Sequence, residues 1–137
     1  MIAILDTSAV IRLFIADGPI PAGLETFLGE VERGNAVGLA PELLWVEAAN
    51  VLLRKKLRGE LAGDEAEALL EEIIQLPLRR AGHVEILPRA MELADAEGLS
   101  VYDALFLSLA ELREGVVFTA DQQLAEASRK LGLAPRA

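Results

Sequence analysis

Four carboxylates stand at positions where a carboxylate needs a reason: Asp6, Glu47, Asp103 and Asp121. Asp6 and Asp121 each follow a short apolar run, Asp121 by way of Thr119-Ala120. Asp103 lies at the start of an apolar helix. Glu47 lies inside one, with Leu43, Leu44, Asn50 and Val51 one helical turn away. Taken singly, Asp6 and Asp121 read first as helix N-caps, and Asp103 as a first-turn carboxylate that complements the helix dipole. Glu47 is harder to place, because an ionised carboxylate on an apolar face is costly unless it is paired or bound to metal. A helix rolled the other way would present it to solvent, so both readings stay open. Taken together the four make one case. Converging carboxylates repel one another, and the sequence offers no nearby base to pair with them. A divalent cation resolves the repulsion, and oxygen-only ligation suits Mg²⁺ or Mn²⁺ over zinc. Such a site positions a phosphoryl group and activates a water.

The elements that must carry these residues alternate. Ile2–Leu5 reads as a strand buried on both faces, and Thr7–Ile15 as the helix that follows. The run Asp17-Gly18-Pro19-Ile20-Pro21-Ala22-Gly23 is a loop. Leu24, Phe27, Leu28 and Val31 recur at helical spacing up to Gly34. Ala36–Ala40 predicts a second strand, with Pro41 in the first turn of a long helix from Glu42 to about Arg58. Asp64–Leu76 is an amphipathic helix, and Leu78–Ala81 an edge strand. A helix runs from about Val84 to Glu97, with Pro88 able to delay its start. Tyr102–Glu114 is helical, Val116–Thr119 a strand and Gln122–Leu131 the last helix. The expected fold is therefore a single α/β domain over residues 1–137, with a mostly parallel central sheet flanked by helices. In such sheets ligands bind outside the carboxyl ends of the strands, where Asp6 and Asp121 share one edge.

Composition excludes several alternatives. At 137 residues the chain has the size of one domain. Its 53% hydrophobic content is too high for a disordered chain. The absence of cysteine removes disulfides, thiolate metal sites and a cysteine nucleophile, and a single histidine, His83, removes histidine-rich zinc sites. The net charge of −9 speaks against an indiscriminate nucleic-acid or membrane-surface binder. The apolar run before Asp6 is too short for a signal peptide. No stretch approaches the about 20 apolar residues of a membrane span, so a cytoplasmic protein is expected.

Four short pieces, in order and spanning nearly the whole chain, carry a resemblance: Leu5-Asp6-Thr7-Ser8-Ala9, Glu47-Ala48-Ala49-Asn50, Leu99-Ser100-Val101-Tyr102-Asp103-Ala104 and Thr119-Ala120-Asp121. Together they resemble PIN-domain nucleases, most of all the VapC-type toxins of toxin–antitoxin pairs. The resemblance implies a metal-dependent endoribonuclease that leaves 5′-phosphate and 3′-hydroxyl ends. Asp6, Glu47, Asp103 and Asp121 would ligate one or two Mg²⁺ or Mn²⁺ ions. Thr7, Ser8 and Thr119 carry hydroxyls suited to holding the carboxylates, and Asn50 follows Glu47 by one turn. For these four, local capping of backbone groups is an equal reading. The resemblance also implies an RNA substrate, a cognate antitoxin protein and a homodimer. Two other functions compete: a non-catalytic PIN-like module that binds protein or RNA, and a phosphohydrolase acting on small phosphate esters.

Other residues are ambiguous. Arg54, Lys55, Lys56 and Arg58 form the densest basic patch, read either as a contact for RNA phosphates or as a solvated helix end. Arg79-Arg80 shares that ambiguity, and Arg12 projects either toward the carboxylates or to the surface. His83 reads as a surface or satisfied histidine. Trp45 and Tyr102 read as packing residues before stacking platforms.

Overall fold

The computed structural model describes residues 1–136. Within them, seven helices flank one four-stranded sheet. The strands β1 (Ile2–Leu5), β2 (Val37–Pro41), β3 (Leu78–Ala81) and β4 (Val116–Phe118) are all parallel, in the order β3-β2-β1-β4. Parallel neighbours require crossovers, and each is made of two helices. These are α1 (Thr7–Phe14) and α2 (Leu24–Glu32), then α3 (Leu43–Leu57) and α4 (Gly63–Ile74), then α5 (Leu87–Glu97) and α6 (Val101–Leu112). The closing helix is α7 (Gln122–Lys130).

Burial explains the sequence patterns. Ala3, Ile4 and Leu5 of the inner strand β1 are wholly buried, as a continuous apolar run predicts. Helix α6 is buried over every residue from Ala104 to Ala110 and packs against β1, β2 and β4, with α5 against it. It is the apolar pillar of the domain, and Asp103 stands at its foot.

The chain runs from β1 outward to β2 and β3, then returns to set β4 on the other side of β1. That reversal opens a crevice beyond the carboxyl ends of β1 and β4, where a doubly wound sheet offers its binding site. Tight pairing at this centre leaves Gly115 no room. A Cβ there would lie 2.7 Å from the Ile2 carbonyl oxygen, a backbone atom unable to swing away. Gly115→Ala is therefore expected to cost about 1–3 kcal/mol; an unchanged urea midpoint would contradict that packing.

Three boundaries differ from the sequence reading for physical reasons. Pro41 is the last residue of β2, opposite Ala81, not the first turn of α3. A strand end tolerates its missing N–H, and the Ala81 carbonyl accepts from the Glu42 N–H instead. Helix α5 starts at Leu87 and not Val84, with Pro88 in its first turn, where proline is tolerated. Helix α4 starts at Gly63 and ends at Ile74, short of Leu76, which turns into β3. Elsewhere helix and strand ends move by a residue or two. Among the described residues no helix is long and apolar enough to cross a membrane.

Candidate functional site

Asp6 leaves β1 and becomes the N-cap of α1, accepting from the Ala9 N–H at 2.8 Å. The capping reading is thus correct as local chemistry, but it uses part of one carboxylate oxygen. The Ser8 hydroxyl donates to the same Oδ1 at 2.8 Å, and the Thr119 hydroxyl donates to Oδ2 at 2.5 Å. Thr119 in turn accepts from the Asp121 N–H at 3.0 Å, while Ser8 accepts from the Ala120 N–H at 2.9 Å. Two hydroxyls therefore lace the end of β1 to the end of β4. Asp121 caps α7 through the Leu124 N–H at 2.9 Å. On α3, Glu47 is half-buried and accepts from the Thr7 hydroxyl at 2.6 Å. Asp103 lies in the first turn of α6, and its N–H donates to the Ser100 hydroxyl, the N-cap, at 3.1 Å.

These elements bring Asp6, Glu47, Asp103 and Asp121 to the walls of one cleft of about 380 Å³. Thr7 and Ser8 line it too, with Ile11, Val51 and Phe106 supplying an apolar lining. Asn50 does not join them. It is exposed on α3 beside the outward-facing Val46 and Leu53, because the step from Glu47 into the cleft leads to Val51 instead.

The electrostatics follow from burial and crowding. Asp6 is only 4% exposed. Desolvation lifts its pKa to about 6, held from going higher by Thr119, the Ala9 N–H and Ser8, and pushed by the charge of Asp103. Glu47 is raised by burial, eased by the Thr7 hydroxyl and raised again by Asp103. Asp103 itself is raised by burial and then by Asp121, with Ser100 opposing. Asp103 is thus the point through which all four carboxylates feel one another. Among the described residues, no group of three or more such side chains is gathered closely enough to hold a metal ion unaided. The donor chemistry still fits Mg²⁺ or Mn²⁺, because all candidate ligands are carboxylate oxygens. Mg²⁺ also keeps several waters and needs only one or two carboxylates directly.

Sequence reasoning missed two participants. Ser100 carried a signal, since Ser followed three residues later by Asp before an apolar run marks a capping box. Asp17 carried none: it lines the cleft from the loop after α1 and pairs with Lys55 Nζ at 2.7 Å. Lys55 is buried, so it leaves the basic patch; Arg58 pairs with Glu60 at 2.6 Å, while Arg54 and Lys56 stay exposed. Away from the cleft, Arg80 stacks over Trp45 at 5.8 Å. Tyr102 is 61% exposed and does not pack as expected. The His83 Nδ1 is buried without a partner among the described residues.

Comparison with known proteins places this architecture. Residues 3–130 match the PIN domain. The chain is 33% identical over 125 residues to ribonuclease VapC3 of Pyrobaculum aerophilum, covering 90% of this chain and 92% of that protein. It is 29% identical over 126 residues to ribonuclease VapC1 of Mycobacterium tuberculosis, covering 90% and 89%. The fold is shared with PAE2754 of Pyrobaculum aerophilum, with TM-score 0.72 at 21% identity, covering 97% of this chain and 87% of that one. It is shared too with Mycobacterium tuberculosis VapC20, a sarcin–ricin-loop-cleaving toxin, with TM-score 0.64 at 17% identity, covering 91% and 94%. The chain belongs to the PIN-domain family, in its VapC branch.

Proposed function

We propose that the protein is a Mg²⁺- or Mn²⁺-dependent endoribonuclease acting as the toxin of a toxin–antitoxin pair, with Asp6, Glu47, Asp103 and Asp121 as its metal-binding and catalytic carboxylates. The observation that carries this reading is the convergence of those four residues on one cleft at the reversal point of a PIN-family sheet. The VapC ribonucleases it resembles support the RNA substrate.

When bound, a divalent ion lowers the pKa of a water and offsets the charge that develops on a phosphate under attack. The chain's own part is to hold oxygen ligands in place and ionised. Thr119 and Ser8 fix both oxygens of Asp6, so its carboxylate cannot rotate away from the cleft. Thr7 does the same for one oxygen of Glu47. Partners of this kind are worth about 10–100-fold in metal affinity or activity. Thr119→Val is expected to lose activity in that range, and Thr7→Val likewise; full activity in both would contradict an orienting role.

An antitoxin partner and a homodimer belong to the same proposal. The exposed residues Val46, Leu53 and Leu57 on one stripe of α3 support a protein-covered face. The test of function is direct. Purified protein, incubated with total cellular RNA, should cut with Mg²⁺ and stop on adding EDTA. Cutting that survives EDTA, or none under any divalent ion, would overturn the reading.

A further inference from the structure

We infer that Arg12 anchors a backbone phosphate of the RNA beside the carboxylates, and that the turn at Gly18-Pro19 is shaped to hold its guanidinium there. The inference rests on the ribonuclease reading but concerns a residue outside the carboxylate set. Arg12 lies half-buried on α1 and lines the same cleft as Asp6. Among the described residues lining that cleft it is the one cation, among five carboxylates.

Its surroundings leave that charge available. Among the described residues no carboxylate lies within ion-pair distance of Arg12. Its Nη1 donates to a neutral acceptor, the Pro19 carbonyl oxygen, at 3.1 Å. Asp17, the acid on the same loop, is instead engaged by Lys55 Nζ at 2.7 Å, with Glu60 3.8 Å from that ammonium. Lys55 thereby takes up the acid of this loop, and it ties the loop to α3. Most of the guanidinium's N–H groups remain for a ligand, and their planar fork matches phosphate oxygens.

Gly18 completes the seat. A Cβ at this position would fall 2.6 Å from Arg12 Cζ and 3.1 Å from Nη2. Because the atoms in conflict belong to a flexible side chain, a substitution there moves the guanidinium at little cost to the fold. A cleft otherwise lined with negative charge thus keeps one fixed positive group at its rim. RNA entering along the carboxylates would meet it with a neighbouring phosphate.

The test is fluorescence anisotropy of a short, labelled, mixed-sequence single-stranded RNA, titrated over a range of KCl concentrations with Mg²⁺ present. All proteins carry Asp6→Asn so that the RNA stays intact. Arg12→Gln should raise Kd about tenfold at low salt. It should also flatten the dependence of log Kd on log salt by about 0.7, the signature of one lost phosphate contact on a single strand. Gly18→Ala should shift both in the same direction without changing Tm. Arg12→Lys should restore the slope but only part of the affinity. Equal Kd and slope for Arg12→Gln would overturn the inference. RNA bound with an Arg12-dependent slope but left uncut by the wild-type protein would retire the ribonuclease reading and leave the anchor standing.

Discussion

Asp6→Asn is expected to abolish RNA cleavage and, at the same time, to make the metal-free protein more stable at pH 7. The loss follows from the role proposed for Asp6. If the residues that orient a metal ligand are worth about 10–100-fold, the ligand itself is worth at least about 100-fold. The gain follows from burial. Asp6 is 4% exposed and its carboxyl is lifted from 3.8 to about 6. The folded chain therefore holds this proton more tightly than the unfolded chain does. Between those two values the native state binds more protons, so stability falls as pH rises through the window and stays reduced above it. By pH 7 the penalty amounts to about 3 kcal/mol at most. An asparagine removes that charge and keeps the bonds. Its Oδ1 can accept from Ala9 and Ser8 as Asp6 does, and its Nδ2 can donate to the Thr119 hydroxyl, which retains a lone pair for it. Tm at pH 7 should rise by several degrees, and the advantage should vanish near pH 3, where Asp6 is protonated in both states. An Asp6→Asn protein that is less stable than wild type at pH 7, or equally favoured at both pH values, would contradict this account of the site.

Cleavage is likewise expected to fall as pH drops through about 6, by roughly tenfold per unit once Asp6 is mostly protonated and metal is limiting. A protonated carboxyl gives up its place as a ligand to a cation. Glu47 and Asp103 are raised in the same direction, each first by burial and each also by a neighbouring acid. The decline should therefore steepen at lower pH as further protons enter the coupled cluster. Raising the Mn²⁺ concentration should move the midpoint down, because metal competes with protons for the same oxygens. Thr119→Val should move it up, since that hydroxyl is the main group holding the Asp6 pKa down. A rate that is flat from pH 5 to pH 8 would place the ionisations that matter elsewhere.

Much of this arrangement is legible in the residues alone. Asp6 and Asp121 announce themselves because a carboxylate ends a buried strand at each point, and a parallel sheet gathers such ends on one edge. Glu47 is legible as a misfit on an apolar face. Local rules fail where tertiary packing decides. The spacing from Glu47 to Asn50 fits a shared helix face, yet α1 and the cleft take up Glu47 and Val51 and leave Asn50 outside. Lys55 sits in a basic run typical of a solvated helix end, but it meets Asp17 from a loop that no periodicity could bring there. Pro41 resembles a helix start, and only its pairing opposite Ala81 reveals a strand end. The acidic balance of −9 behaves in the same way. As a sum it points away from nucleic acid; as an arrangement it concentrates carboxylates around a cleft with Arg12 at the rim.

The central claim is that these carboxylates hold a divalent ion, and calorimetric titration with Mn²⁺ at pH 7.5 tests it most directly. Wild-type protein should bind one or two ions, and more weakly when the titration is repeated at pH 5.5, where Asp6 is mostly protonated and metal must displace its proton. Asp6→Asn and Asp103→Asn should each weaken that binding by at least about 100-fold. Binding that is absent from the wild type, or present and unchanged in both variants, would contradict the assignment of the site.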